Sequence, residues 1–548
     1  MDLRSISGNQ ITIWAALAVG LAVALVMGSA VGSADMRFVA GVVAVIPAVV
    51  IFVKLKTNIW VLLPIGWYLI GRLPWLPVPF TVRDLCFLTV IGFFTIFAAT
   101  RVVSLKRNLT TLDYLIYINL AYLVTVFVRN PVGVLAMQSS IVGGRPYFEI
   151  ILAFGAYLIL SRVQISDFIA KVFPLFIVIP TWSVGALDLF ARLNPQTGYV
   201  LNSIYNAVGT GGIAAGAQSE GEIGVTRMVA MKDAGASTAL ALCAKYNPIT
   251  LISPLHPFRV IALAVAFGAI FLSGYRSLLL FGFIAFVLSA ILRRQVKDVW
   301  VAMSGGLLAL IMIIALQGNV LQLPLTMQRA LSWLPGDWDP VAVMDAEDST
   351  LWRVEMWGWA WNDERILRDR VWGQGFGFNL DDMNLIMASM AGGYDGSSLL
   401  GGSDRERFMI TGSFHSGPLS SIKFIGVVGL ILFFTLLCYM AALAWRLCAR
   451  ARGTEAFTLA LFVGIPIIYE PFNFVFIFGA LDSGYPQQVY WAGLLNMVQR
   501  YLDQGNHVTP TREVESIQRR LSAIGRAQPQ LARQYPMPFD QRQRVTIE

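Results

Sequence analysis

Charged residues are scarce in this 548-residue chain: they make up 14% of it, against the roughly 25% typical of soluble domains. Hydrophobic residues make up 56%, and the mean hydropathy is +0.64. This composition excludes a soluble globular enzyme. Apolar runs of about 18 or more residues recur, and one such run can cross a hydrocarbon core about 30 Å thick as a helix. The sequence therefore predicts an all-α polytopic membrane protein.

Cysteine is also rare, and its spacing carries no metal or disulfide pattern. Cys86, Cys243, Cys438 and Cys448 lie in or beside apolar runs, and no two of them form a Cys-x-x-Cys pair. We therefore expect free thiols, no disulfide framework, no metal site and no cofactor.

The apolar runs predict about fourteen transmembrane helices with both termini in the cytoplasm. Short basic turns, such as the one at Arg293 and Arg294, mark the cytoplasmic side under the positive-inside rule. A weakly apolar run at 236–254 is included because the alternation of sides otherwise fails by one crossing. The predicted spans are 11–32, 37–53, 58–71, 84–103, 113–128, 147–161, 168–190, 236–254, 260–275, 277–292, 299–318, 418–445, 456–476 and, least clearly, 484–499.

Two long polar segments divide the chain. Residues 1–318 and 416–500 form the two parts of the transmembrane bundle, and 319–415 form a helical loop, the cap, on the outer side. The cap holds 14 acidic and 7 basic residues, a net charge of −7, although the whole chain is +8. Residues 501–548 are a basic cytoplasmic tail, which we expect to be disordered, with binding to the anionic inner leaflet as the alternative.

His415 is the candidate catalytic residue. The chain has three histidines, and the topology places His256 and His507 in the cytoplasm. His415 alone faces outward, and an imidazole has the ordinary pKa best suited to proton transfer near neutrality. The alternative is a structural histidine whose hydrogen bonds are satisfied within the protein.

The segment after His415 predicts a helix with a small-residue face. If one continuous helix runs from His415 into the next span, Gly426 and Gly429 lie on the same face as the histidine at 100° per residue. Such a face would form a groove. It could take a neighbouring helix or the tail of a lipid substrate.

Four arginines on the outer side are candidate phosphate ligands, because the planar guanidinium binds phosphate through two parallel hydrogen bonds and stays charged. Arg145, Arg276 and Arg353 are the main candidates, and Arg227, in a glycine-rich loop, is a weaker one. The alternative for each is an ion pair with Glu149, Glu355 or another acid of the cap.

The cap contains a tryptophan-rich amphipathic helix at 352–361. Trp352, Met356 and Trp359 form one stripe, and Arg353, Trp357 and Trp361 form the next. Such tryptophans anchor a helix at the lipid–water interface, or they stack on sugar rings. The following GQGFGFN sequence at 373–379 predicts a tight turn rather than a nucleotide site, because no βαβ unit surrounds it. Glu470 is an acid within a span and so a functional candidate.

These residues together resemble the bacterial O-antigen ligase and O-antigen polymerase superfamily. Its signature is histidine, then Asn, Ser or Gln, nine residues, glycine, two residues, then Gly, Thr or Tyr. His415, Ser416, Gly426 and Gly429 match it in register, and Leu419 matches a common extra position. Arg276 at a tight turn, and Arg353 followed by GQGFG, are also similar to the family, over roughly 140–440. Phe424 departs from the family, which often has an acid there.

The resemblance implies a GT-C-like fold and an inverting, metal-independent glycosyltransferase in the bacterial inner membrane, with a periplasmic active site. The donor would be an undecaprenyl-diphosphate-linked oligosaccharide, and the acceptor a second glycan. Arg145, Arg276 and Arg353 would bind the diphosphate, while His415 would take the proton from the acceptor hydroxyl or only orient the substrates. Trp357, Trp361, Ser416, Gly426 and Gly429 would contact glycan or lipid.

The resemblance leaves the reaction open between two outcomes. We favour a polymerase of O-antigen, capsule or exopolysaccharide repeat units, because fourteen spans and 548 residues exceed what we expect of a ligase that transfers glycan to lipid A-core. The expected partners are membrane lipids and, for a polymerase, a chain-length regulator, with no nucleic acid. A polysaccharide-lipid flippase or another transporter is the alternative from a different class. Transporters, however, place charges at the membrane midplane and have short outer loops.

Overall fold

The structure is a computed structural model that describes residues 56–504 except 70, 75–79, 101–107, 134–140, 208–227, 319, 321, 365 and 380–408. The predicted spans at 11–32 and 37–53, Arg227, and the tail from residue 505 lie outside the described residues. What is described is almost entirely helical. The helices are Leu62–Trp67, Val82–Ala99, Thr111–Arg129, Arg145–Leu160, Asp167–Val172, Leu175–Leu193, Pro195–Ile204, Met231–Lys245, Pro248–Ile252, Pro257–Ser273, Arg276–Leu292, Val296–Leu316, Leu325–Leu331, Pro340–Asn362, Gly417–Ala451, Phe457–Phe472 and Leu481–Asp503, with a 3-10 helix at Lys56–Val61 and a π-helix at Asn473–Ile477.

Within the described residues, six helices are long and apolar enough to cross a membrane, which agrees with an all-α membrane protein. They are Val82–Ala99, Thr111–Arg129, Asp167–Leu193 (two helices in series), Val296–Leu316, Gly417–Ala451 and Phe457–Ile477. Pro257–Ser273 and Arg276–Leu292 are shorter apolar helices. The full count of fourteen spans stays a prediction.

Two of these helices begin with a capping box, in which the N-cap side chain and the third helical residue bond each other's backbone. Thr81 and Asp84 start the helix Val82–Ala99, and Thr110 and Asp113 start Thr111–Arg129. The Asp113 carboxylate also accepts a hydrogen bond from the Tyr157 hydroxyl. The apolar runs at 84–103 and 113–128 thus form helices whose first residues, Val82 and Thr111, lie two positions before the predicted starts.

Two predicted spans are shorter helices than expected. The run at 236–254 forms Met231–Lys245 and Pro248–Ile252, interrupted at Tyr246 and Asn247. Proline lacks the N–H that a continuous helix would need at position 248. The run at 58–71 holds the helix Leu62–Trp67 and ends in a two-residue strand. None of these helices reaches the roughly 20 residues that one crossing needs.

The part of the chain that the structure describes contains four short strands, which pair in two antiparallel sheets. Strand β1 (Gly71–Arg72) pairs with β3 (Asn206–Ala207), and β2 (Ile141–Val142) pairs with β4 (Phe378–Asn379). The second pair joins the end of the GQGFGFN sequence to the segment that immediately precedes the helix Arg145–Leu160.

The core of the bundle is formed where the helices Gly417–Ala451, Phe457–Phe472 and Leu481–Asp503 meet Arg145–Leu160. Polar contacts cross it: the Asn496 amide donates to the Ser161 hydroxyl at 3.0 Å, and the Arg500 guanidinium donates to the Ser161 carbonyl at 2.9 Å. Burial of aromatic side chains is extensive here. Tyr157, Phe433, Phe462, Tyr485, Tyr490 and Tyr501 are each less than 2% exposed.

The described part of the cap consists mainly of the helix Pro340–Asn362 (the cap helix) and Leu325–Leu331. The predicted helix at 352–361 is confirmed, and it begins earlier because Asp339 caps it, accepting from the Val341 N–H at 2.8 Å. A buried ion pair between Arg329 and Asp345 ties the cap together, and Arg329 also donates to the Gly274 carbonyl at 2.9 Å. Arg276 donates to the Ala346 carbonyl at 3.1 Å. The cap helix is thus anchored at the turn between two bundle helices.

A second, smaller core joins the cap to the start of the helix Gly417–Ala451. It contains Trp352, Met356, Ala360, Ile366, Leu367, Met409, Phe414, Leu419 and Ile422. The predicted stripe of Trp352 and Met356 therefore faces protein, and Trp359 packs against its edge. This contact places the neighbouring stripe, with Arg353 and Trp357, beside His415.

The helix Gly417–Ala451 (the broken helix) is not continuous. Gly426 has φ 70° and ψ 178°, which breaks it, and His415 precedes it with φ 52°. The prediction that His415, Gly426 and Gly429 share one face of a straight helix is therefore wrong. A Cβ at Gly426 would lie 2.2 Å from the Val371 carbonyl oxygen, and one at Gly429 would lie 2.7 Å from the Tyr122 ring. Both glycines allow protein backbone and side chains to approach, and they do not form an open groove.

The backbone groups released by the break bind the loop at 370–375. The N–H groups of Gln374 and Gly375 donate to the Lys423 and Phe424 carbonyls at 3.0 and 2.9 Å, and the Val427 N–H donates to the Arg370 carbonyl at 2.8 Å. Gly373 and Gly375 in this loop have φ 81° and 73°, a left-handed conformation that glycine adopts without strain. The GQG sequence is therefore a tight turn that crosses the broken helix.

Candidate active site

A cavity of about 310 Å³ lies between the cap helix, the start of the broken helix and the π-helix. Its lining joins charged, polar and aromatic groups from the three elements. The lining residues are Arg353, Val354, Trp357, Phe414, His415, Ser416, Phe474, Val475, Phe476, Ile477 and Phe478. Of the predicted site residues, the structure thus brings His415, Ser416, Arg353 and Trp357 together.

His415 lies two residues before the N-terminus of the broken helix. Its ring stacks on the Phe478 ring at a centroid distance of 5.1 Å. Burial, and next the positive charge of Arg353, lower the pKa of His415 to about 4. The imidazole is therefore neutral at physiological pH, which is the form that can accept a proton. Its left-handed backbone is uncommon for a non-glycine residue, and such conformations cluster at functional sites.

Arg353 supplies the positive charge of the cavity. Among the described residues, no carboxylate lies within ion-pairing distance of its guanidinium, so the alternative of an ion pair with Glu355 finds no support there. Partial burial, and next the charge of Arg276, lower the pKa of Arg353. Arg276 is not a lining residue, but its charge acts on Arg353. Two like charges in proximity produce a positive potential that an anion would compensate.

Ser416 is the N-cap of the broken helix, but its hydroxyl makes no capping hydrogen bond. The first N–H groups of a helix carry partial positive charge and bind anions. Pro418 lies in the first turn, where a missing N–H costs nothing. The hydroxyl and the helix N-terminus therefore add hydrogen-bonding capacity to the side of the cavity that holds His415.

Arg145 does not line the cavity. Its guanidinium pairs with Asp84 at 2.5 Å and with Glu149 at 2.9 Å, and Arg83 pairs with Glu149 at 2.6 Å. We call Arg83, Asp84, Arg145 and Glu149 the four-charge cluster. The structure therefore does not bring Arg145 into the cavity with Arg353 and His415, and the ion pair with Glu149, the alternative for this arginine, is present. Arg227, the fourth candidate, lies outside the described residues.

The two tryptophans of the exposed stripe have different surroundings. Trp357 lines the cavity and is 39% exposed. Trp361, one turn further along, holds the Arg370 guanidinium 4.8 Å above its ring, and its carbonyl accepts from the same group at 2.6 Å. Trp361 is therefore occupied by a contact within the cap and is not a lining residue, so the sugar or lipid contact predicted for it has no support in this geometry.

The wall formed by the π-helix and Phe478 is aromatic, and it was not predicted from the sequence. Phe474, Phe476 and Phe478 all line the cavity, and the first two belong to the π-helix. Glu470, one turn earlier, accepts from the Asn473 amide at 3.2 Å. The signal in the sequence is the spacing of phenylalanine at 472, 474, 476 and 478, because a two-residue repeat does not fit the continuous span predicted over 456–476. A π-helix is often found at functional sites.

Among the described residues, no group of three His, Cys, Asp or Glu side chains is placed to hold a metal ion. Neither the protein-family models nor the curated proteins with which the sequence was compared match it.

Proposed function

We propose that this protein is an inverting membrane glycosyltransferase that uses an undecaprenyl-diphosphate-linked glycan as donor and polymerises repeat units of O-antigen, capsule or exopolysaccharide. The observation that carries the proposal is the cavity in which a neutral imidazole, His415, and a guanidinium without a carboxylate partner among the described residues, Arg353, lie side by side. The motif that includes His415, Ser416, Gly426 and Gly429 supports the same reaction.

Arg353 binds the donor diphosphate in this proposal. Arg276 does not line the cavity, but its charge adds to the positive potential at Arg353. Negative charge grows on the diphosphate as the glycosidic bond breaks, so a fixed guanidinium stabilises the transition state more than the ground state. The N-terminus of the broken helix and the Ser416 hydroxyl supply further donors. Arg145 has no part in this step, because two carboxylates neutralise it.

His415 accepts the proton of the acceptor hydroxyl as that oxygen attacks the sugar. General-base catalysis of this kind contributes about 10²- to 10⁴-fold. The free imidazole is a weak base because its pKa is lowered to about 4. A bound diphosphate would place negative charge beside it and raise that pKa, so the base strengthens when the donor is in place.

The aromatic wall suits the remaining parts of the substrates. Phe476 is 72% exposed and Phe478 is 37% exposed, and together with Trp357 they offer apolar faces to an isoprenoid chain or to the C–H face of a sugar ring. The proposal includes the GT-C-like bundle of fourteen spans, cytoplasmic termini, and a cavity that opens to the periplasm of the inner membrane.

The test is the product formed by purified protein in lipid nanodiscs. With a lipid-linked repeat unit and no lipid A-core, a ladder of longer glycans supports the polymerase. Product that requires lipid A-core identifies a ligase. Movement of the labelled lipid-linked sugar across the bilayer, without any new glycosidic bond, would contradict glycosyl transfer and identify a transporter.

A further inference from the structure

Lys423 is a buried lysine in the first half of the broken helix, and its ammonium bonds two backbone carbonyls. Its side chain is 4% exposed, and Nζ donates to the Met409 and Ile410 carbonyls at 2.9 and 2.7 Å. The two carbonyls belong to the short helical turn that begins the segment leading to His415. Carbonyls at the end of a helical turn carry partial negative charge, which an ammonium stabilises.

The same lysine meets the rest of this segment. Nζ lies 5.6 Å from the centroid of the Phe414 ring, and Phe414 is fully buried beside His415. Gly412 has φ 77°, and a Cβ there would lie 3.1 Å from Lys423 Cδ and 2.5 Å from the Phe424 ring. Residues 409–414 are therefore wrapped around the Lys423 side chain.

The backbone of Lys423 is also held. Its carbonyl accepts from the Gln374 N–H at 3.0 Å, in the loop that crosses the broken helix. One residue thus connects the GQG turn, the broken helix and the segment that ends at His415. A buried ammonium is costly unless its N–H groups are bonded, so this arrangement strongly favours one position of residues 409 and 410.

His415 needs such support. A left-handed backbone at a non-glycine residue persists where the surrounding structure imposes it. The contacts that end at Phe414 fix the chain immediately before it, and Ser416 begins the helix immediately after it.

We propose that Lys423 is a positioning residue for His415: by bonding the Met409 and Ile410 carbonyls it fixes the segment 409–414 and so holds the imidazole in the cavity against Phe478. The consequence for turnover rests on the proposed function. The positioning itself does not, and it can be measured without any substrate.

The experiment measures the rate at which diethyl pyrocarbonate modifies His415, resolved by mass spectrometry, in the full-length protein carrying H256Q and H507Q. Only the neutral imidazole reacts. Of the described residues that line the cavity, Arg353 is the only one with a permanent charge, and that charge acts on this ring. The variants are K423M, K423Q and K423R, and the control is K171M, which removes an exposed lysine that pairs with Glu455.

With the pKa of His415 lowered to about 4, its rate in the parent and in K171M should change little between pH 7 and pH 5. A histidine released into solvent, with the ordinary pKa of about 6.5, would react roughly 25-fold more slowly at pH 5 than at pH 7. K423M should show this steep profile, together with a faster rate at pH 7 as the ring is exposed. K423Q should be intermediate, and K423R should restore the flat profile by keeping the charge and the donors.

A flat profile in folded K423M, checked by its thermal melting, would overturn the proposal. If K423M does not fold, the pH profile of K423Q is the test, because glutamine keeps an N–H donor and loses the charge. A profile steeper than that of the parent supports the proposal, and a flat one overturns it. The positioning role of Lys423 and the role of His415 as a base can be tested independently. A steep profile in K423M alongside native turnover in H415A would leave Lys423 as a positioning residue and remove His415 as the base.

Discussion

The cavity and the four-charge cluster both place an arginine beside aromatic rings, and the sequence predicted the same role, phosphate binding, for Arg353 of the cavity and Arg145 of the cluster. In the four-charge cluster, two guanidinium groups meet two carboxylates, and the Arg145 guanidinium lies 5.4 Å from the Phe148 ring. In the cavity, Arg353 has no carboxylate partner among the described residues, and the charge of Arg276 adds to its own. Residue type and the predicted side of the membrane do not separate these two situations, but charge balance does. A neutralised arginine supports the fold, whereas an uncompensated one can bind an anion.

The largest effect expected concerns His415. H415A should lower turnover by about 10²- to 10⁴-fold while donor affinity changes little, because a general base acts mainly in the transition state. H256A is the matched control, since that histidine does not line the cavity. The measurement is single-turnover glycan transfer with donor binding followed separately. Native turnover in H415A would remove the base and leave the cavity as a binding site.

The arginines of the two regions should respond differently when the donor is titrated. R353Q should weaken donor binding by roughly 10- to 100-fold, as expected for loss of a hydrogen-bonded charge worth about 1.5–3 kcal/mol. R370Q is the control within the cap, because Arg370 stacks on Trp361 outside the cavity. Equal losses of affinity in R353Q and R145Q would contradict the distinction between the two regions.

The four-charge cluster should show its role in stability. R145Q leaves the fully buried Asp84 carboxylate without its closest guanidinium, and we expect a loss of about 1–3 kcal/mol. The thermal midpoint in nanodiscs should fall, while donor affinity at a temperature below the transition stays native. A midpoint equal to that of the parent protein would show that Arg83 alone satisfies Asp84.

The smallest effect expected is a shift of the acid limb of the pH profile. The neutral form of His415 is the active one, so activity should be retained above its lowered pKa and lost as the pH falls through it. Arg353 contributes to that lowering, and R353Q should therefore raise the pKa of His415 and move the acid limb to higher pH. An acid limb that does not move would mean that burial alone sets the pKa.

Part of this site is readable from the sequence because its signals are local. Arg353 and Trp357 lie four residues apart on a tryptophan-rich helix, so their shared face follows from helical periodicity. His415 was identified by elimination among three histidines. In each case a single segment holds the information.

The missed features depend on contacts between distant segments. The break at Gly426 is stabilised by backbone groups of residues 370–375, about 50 positions earlier, and a helical projection of one segment cannot include them. Arg145 is neutralised by Asp84, which is 61 positions away. The π-helix at Asn473–Ile477 follows two prolines in the helix before it, and the apolar composition of this stretch equally fits a plain span.

The most direct test is protection of His415 by the donor. Protein with His415 as its single histidine is treated with diethyl pyrocarbonate with and without an undecaprenyl-diphosphate-linked repeat unit, and modification of His415 is measured by mass spectrometry. If the cavity is the donor site, the donor should slow modification in the parent protein and in R145Q, and should protect R353Q only at much higher concentration. Modification of His415 at the same rate with and without saturating donor would contradict the account.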